Sequence, residues 1–194
     1  MSEAASIESP TRQPKRSPRW LLAPLLAFAF FALLAGLLAK AYAPEAGESR
    51  GAYFDLFFSD TIHMKAWLAS VAVAFGLFQL FTAAWIFRKL PWPKPAWVNP
   101  AHRWSGRLAF VATLPVAYHC IFKLGFQSGD GRVLWHSLLG SGFYGAYASK
   151  ITIVRLRRFP GHTLPIMGGL LFAVLIGVWY TSAVWFFRLV GVGV

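Results

Sequence analysis

The feature that most constrains this chain is a series of apolar stretches too long for a soluble core. From Trp20 to Ala41 no charge appears before Lys40. A membrane-spanning helix needs about 20 mostly apolar residues. Four further segments approach or exceed that length, at about 61–87, 100–126, 133–154 and 163–190. The sequence therefore predicts an all-α integral membrane bundle with five transmembrane helices, the first at about 20–41, forming one domain over 19–194. A basic, Ser/Pro-rich tail at 1–18 is expected to be disordered. The first apolar run follows basic residues, as a secretory signal does. Its length exceeds a signal core and Lys40-Ala41-Tyr42-Ala43 makes a poor cleavage site, so it is expected to remain as a span.

Helix ends are also written locally. Ser59 and Asp60 can cap the second helix, and Pro91, Pro93 and Pro95 break the chain after it. Asn99-Pro100 offers an N-cap followed by proline at the first helical position of the third. Phe159-Pro160-Gly161 turns the chain into the fifth.

Charge is scarce (13%) yet strongly positive, with a net +12. That balance suggests nucleic acid until the charges are located. With five spans, thirteen Lys/Arg and two acids fall on the N-terminal side of the membrane, against six and five on the other. The positive-inside rule then makes the N-terminus cytoplasmic and the C-terminus external. The net charge orients the chain, and the expected partner is the lipid bilayer, with no nucleic acid. A single cysteine, Cys120, excludes a disulfide framework, a Cys-held iron–sulfur cluster and a Cys-rich zinc site. Without C-x-x-C-H there is no covalent c-type haem, and neither a phosphate loop nor a G-x-S-x-G elbow occurs.

Ionisable residues inside spans are costly and mark function by default. Among the histidines His63, His102, His119, His136 and His162, two lie clearly within spans. Counted from Gly129, His119 is ten residues back on the third helix and His136 seven residues forward on the fourth. The short connection makes these helices antiparallel neighbours, with the imidazoles about 15 and 10 Å deep. Matched imidazoles suit a b-type haem with two axial histidines near the non-cytoplasmic face. Gly140 lies one turn from His136 and would let a flat porphyrin approach. Pro115 can bend the third helix. Tyr118 and Tyr144 are candidates for ring packing, and Lys123 and Arg132 for propionate pairing. Packing or proton-relay histidines are the plainer alternative. His102 and His162, on the cytoplasmic side, are candidates for a second haem or for interfacial positions. The 17-residue interval from His102 to His119 turns them about 100° apart, which argues against a second site. His63 follows Asp60 closely enough to belong to the helix cap.

The stretch His102-Arg103-Trp104-Ser105-Gly106-Arg107, followed by Leu114-Pro115-Val116-Ala117-Tyr118-His119, resembles the H-R-x-x-G-R…H pattern of bacterial cytochrome b561-type membrane cytochromes. With His136-Ser137-Leu138-Leu139-Gly140 and Phe143-Tyr144-Gly145 it looks closer still to an uncharacterised bacterial family of five-span membrane proteins. The b561 resemblance implies axial roles for His119 and His136, non-covalent haem b, and electron transfer between a quinone or reductant and a redox partner protein. It also implies the bacterial inner membrane. Two other functions compete: a haem-free structural or assembly subunit of a redox complex, docking through 43–62, and a small transporter using His119, His136 and Lys150. Any enzymatic role would be as a redox subunit with a partner.

Overall fold

A computed structural model describes residues 18–45, 53–156 and 159–191. The expected disordered tail, apart from Pro18, and the charged residues Glu48, Arg50, Arg157 and Arg158 lie outside them. Among the described residues all regular structure is helical. After a 3-10 turn at Pro18–Leu21 come α1 (Leu22–Ala41), α2 (Thr61–Ile86) and α3 (Val98–Tyr118). A π-helical extension, His119–Leu124, prolongs α3. Then follow α4 (Gly131–Leu156), α5 (Thr163–Trp179), a second π-helical turn at Tyr180–Val184, and α6 (Trp185–Val190), which continues the same rod.

Four rods are long and apolar enough to cross a membrane: Leu22–Ala41, Thr61–Ile86, Val98–Leu124 and Thr163–Val190. The fourth expected span forms a helix of 26 residues, α4, but is not among these four. Its polar residues, including His136, Ser137, Ser141, Ser149 and Lys150, lower its hydropathy.

Small residues set the packing, as is usual where helices meet without water to drive them together. Gly145 of α4 receives α1 so closely that a Cβ there would stand 2.6 Å from the Phe28 carbonyl oxygen. Gly76 of α2 meets Phe172 of α5, and Gly177 of α5 meets Leu139 of α4. Ala72, Val73, Phe143, Ala146, Leu171 and Leu175 form the core between α2, α4 and α5. The Trp179 indole N–H donates to Ser70 Oγ at 2.9 Å and ties α5 to α2.

Neighbours follow the order α1, α4, α5, α2, α3, and the π-helical end of α3 returns to α1. The helices thus form a ring. The expectation that α3 and α4 pack directly is corrected: despite their short connection, their backbones make no comparable contact. Side chains bridge them instead, with Phe110 stacked on Tyr147 at 4.2 Å. The space left between α3 and α4 is the centre of the molecule.

The helix starts show what local sequence does and does not decide. Asp60 caps α2, its carboxylate accepting from the Ile62 and His63 N–H groups at 2.7 and 2.9 Å. Asn99 does not cap α3. The helix begins at Val98, two residues before the expected Pro100, after a turn in which Val98 N–H donates to Pro95 O, and Lys94 Nζ donates to the Asn99 side chain at 3.1 Å.

Candidate functional site

Inside the ring, towards the α3–α4 connection, is a cavity of about 830 Å³. That is within the range of sites that enclose a cofactor-sized molecule. Its walls are mainly apolar and come from all five rods. Polar groups stand at a few points: Asp60 and Lys65 of the α2 start, Cys120 and Thr113 of the α3 rod, Arg132, His136 and Tyr144 of α4, and Thr181 of the second π turn. Gly140 belongs to this wall, and a Cβ built on it meets nothing within 4 Å.

The two π-helical turns flank the site for separate reasons. Pro115 lacks the N–H that would bond the carbonyl four residues earlier, and the helix widens one turn later at His119. In the second, Thr181 donates its hydroxyl to Gly177 O (2.8 Å) and Val178 O (3.0 Å), and Ser182 donates to Val178 O (2.7 Å). Hydroxyls that take helix carbonyls compete with the backbone ladder. The Thr181 carbonyl in turn accepts from Arg132 Nη1 at 2.7 Å, from outside its own helix. Arg132 is held further by the Trp185 ring, 3.9 Å from its guanidinium carbon, and by Asp130 at 3.8 Å.

These contacts assign the histidine tautomers. His119 Nδ1 lies 2.9 Å from Pro115 O, which can only accept, so Nδ1 carries the hydrogen. His119 is fully buried, and its Nε2, left with a lone pair, has no hydrogen-bond partner among the described residues. His136 Nδ1 lies 3.2 Å from Thr181 Oγ1, whose own hydrogen goes to a carbonyl. Nδ1 is again the donor, and Cys120 Sγ lies 4.0 Å from Nε2. An imidazole fixed through Nδ1–H with Nε2 unpartnered, as in His119, is the state of a histidine free to bind a metal.

The two are placed differently. His136 lines the cavity, whereas His119 does not. The His119 ring stacks on Tyr53 (5.7 Å) and meets Phe54 edge-on (4.4 Å). Its chain neighbour Cys120 and its stacking partner Tyr53 both line the cavity, so His119 stands one side chain behind the wall. Tyr53 and Phe54, part of the expected docking segment, pack a face on this histidine while staying 44% and 38% exposed, and Phe57 is 85% exposed.

Of the other expected site residues, Arg132, Gly140 and Tyr144 line the cavity. The Tyr144 hydroxyl reaches Thr113 at 3.4 Å. Tyr118 lies outside the cavity, packed edge-on against His119 at 5.3 Å. Lys123 is in the first π turn and is likewise not part of the wall. His102 donates from Nδ1 to Thr82 Oγ1 at 2.8 Å, and its carbonyl accepts from Gln79. Gln79 also donates to Ser105 Oγ at 2.7 Å, so His102 belongs to a polar contact between α2 and α3, away from the cavity. His162 is exposed at the start of α5. His63 bonds the Asp60 carboxylate at 2.6 Å and completes the cap.

Sequence reasoning passed over Thr181 and Lys65 and gave Tyr53 a docking role only. The pair Thr181-Ser182 in a mainly apolar segment was the visible sign of the first. Among the described residues no group of three or more His, Cys, Asp or Glu gathers as for a bare metal ion. The cavity is large and mainly apolar, with His136 and a few other polar side chains on its wall. No curated protein and no solved structure matches this chain. A family model does match, over residues 15–194, and by it the chain belongs to DUF6529, a family of unknown function.

Proposed function

We propose that the chain is a five-span membrane protein that binds haem b through His136 and His119 and carries electrons. The observation that supports this most is the shared tautomer: His136 on the wall of an apolar cavity and His119 just behind it are each held at Nδ1 by an oxygen, His119 Nε2 has no partner among the described residues, and His136 Nε2 has Cys120 Sγ at 4.0 Å. The open wall at Gly140 would admit a flat ring. Lys65 and Arg132 supply positive charge at the same cavity. The b561-type pattern around His102 and His119 points the same way, and the α2–α3 role of His102 favours one haem over two.

In this reading α4 is the fifth span, shielded by its neighbours, with the N-terminus cytoplasmic and the C-terminus outside, in a bacterial inner membrane. Held by His119 and His136, haem b would supply electron transfer. The protein's part is to fix both rings through Pro115 O and Thr181 Oγ1, exclude water with the aromatic walls, and balance charge with Arg132 and Lys65. The electron donor and acceptor would be a quinone or a partner protein on the non-cytoplasmic side.

The test is purification from a haem-sufficient host, a pyridine haemochrome assay and reduced-minus-oxidised spectra. One low-spin haem b per chain is expected, with loss in both His136→Ala and His119→Ala. Absence of haem from the wild-type protein refutes the proposal and favours a haem-free subunit. Haem retained in His119→Ala but lost in His136→Ala would move the second ligand to another residue, Cys120 first.

A further inference from the structure

At the opposite end of the bundle, the C-terminus of α2 and the turn after it enclose a second cavity of about 630 Å³. Its lining is Trp85, Ile86, Arg88, Leu90, Pro91, Trp92, Pro93 and Lys94. We propose that it binds the phosphate of an anionic phospholipid headgroup.

Three independent features carry this. First, the Trp85 indole N–H is buried and has no acceptor among the described residues. A buried donor without a partner is uncommon and points to a missing one. Second, Arg88 occupies a position made for glycine. The Lys89 N–H donates to Ala84 O (2.8 Å) and the Arg88 N–H to Trp85 O (3.1 Å), the two bonds of a Schellman helix end. The residue after the C-cap is left-handed at such an end, and Arg88, in that place, has φ +54°. An arginine held there against its backbone preference suggests use of its side chain. Among the described residues it has no carboxylate partner, and residues 85–97 contain no acid at all. Third, the site sits where a headgroup would be. It closes an apolar rod able to cross a membrane and is edged by indoles, Trp92 at 63% and Trp97 at 48% exposed. Tryptophan favours the headgroup level, and basic pockets beside spans take anionic lipids. Pro91 and Pro93 stiffen the turn that presents Lys94, whose Nζ gives one of its three donors to the Asn99 side chain at 3.1 Å. This site does not depend on haem.

The experiment is native mass spectrometry of the full chain in detergent, titrated with phosphatidylglycerol, phosphatidylcholine or inorganic phosphate. Thermal unfolding of each variant is followed in parallel. One phosphatidylglycerol per chain should bind in preference to phosphatidylcholine. Arg88→Gly should weaken it roughly fivefold and Arg88→Gly with Lys94→Gln more, at about that factor per cation. Trp85→Phe should weaken it as well. Arg88→Gly relieves the backbone, so its unfolding midpoint should equal or exceed the wild type, which separates lost binding from lost fold. Equal binding of both lipids, or wild-type affinity in the double variant, overturns the proposal. Displacement of the lipid by inorganic phosphate at equal affinity would assign the site to free phosphate and overturn it too.

Discussion

Gly140 and Gly145 stand five residues apart on α4, and alanine should act oppositely at the two. Replacing glycine by alanine in a helix interior favours the helix by about 0.5–1 kcal/mol. At Gly140 the new methyl meets nothing within 4 Å, so that gain should survive. At Gly145 it would stand 2.6 Å from Phe28 O and 2.9 Å from Ala32 Cβ. One of these neighbours is backbone and cannot rotate away. Overpacking of this kind costs about 1–3 kcal/mol, which offsets or exceeds the helix gain. The two variants should therefore differ by about 1–3 kcal/mol. At about 2–4 °C per kcal/mol for a chain of this size, their midpoints should separate by about 2–12 °C. Thermal unfolding in detergent, followed by tryptophan fluorescence, measures this. Gly140→Leu carries the argument to function, because a side chain projecting into the cavity should exclude haem while the fold persists. Equal midpoints for the two alanine variants would refute the assigned packing. A full complement of haem in Gly140→Leu would refute the assigned binding space.

Thr181→Val removes the oxygen that fixes His136 Nδ1 and should weaken haem binding about 10–100-fold, as loss of such a partner does at metal sites. Thr181→Ser should restore it, and haemin titration of the apoprotein reads both. His102→Ala should leave haem stoichiometry unchanged, since Thr82 and Gln79 employ that residue between α2 and α3; a halved stoichiometry would show a second haem. The Asp60 carboxyl is held below its usual 3.8, first by the His63 backbone N–H and then by the His63 ring. A depressed carboxyl stabilises the fold above its unfolded pKa and loses that contribution as pH falls through the lower folded value. Asp60→Ala should thus cost about 1 kcal/mol near neutral pH, with the gap to wild type closing below about pH 3.8; a constant gap would count against the cap.

Sequence pattern was sufficient where a single segment decides the outcome. Apolar length located every rod to within a few residues, Asp60 capped α2, and Pro115 disturbed α3 beside His119. It failed where the outcome depends on what lies across space. A short connection implied that α3 and α4 touch, but Gly145 lets α4 lean onto α1 and draws it from α3. Depth counting aligned the imidazoles but could not foresee that the π turn sets Cys120, not His119, on the cavity wall. Asn99 looked like a cap because its type and its proline suit one. The turn from Pro95 started the helix earlier, and Lys94 took the side chain. Thr181 acquires meaning only when α5 lies beside α4.

The same cavity accounts for the helix that hydropathy passed over. α4 has α1 on one flank and α5 on the other, and from Leu139 to Lys150 none of its residues is exposed. A rod shielded in this way is released from the demand that its surface be apolar, because polar groups at membrane depth are tolerated where protein or a cavity faces them. Arg132, His136, Ser137, Ser141 and Tyr144 all use that freedom on the cavity side. α1 shows the converse. Leu25, Leu26, Phe30, Leu33 and Leu37 are 59–66% exposed, and its sequence is the most apolar of the rods. The low hydropathy of α4 therefore measures its central position. In the proposed reading the side chains that would hold the ligand gather mainly on α4, the rod whose own hydropathy falls short of a span, so packing of the bundle would complete the site.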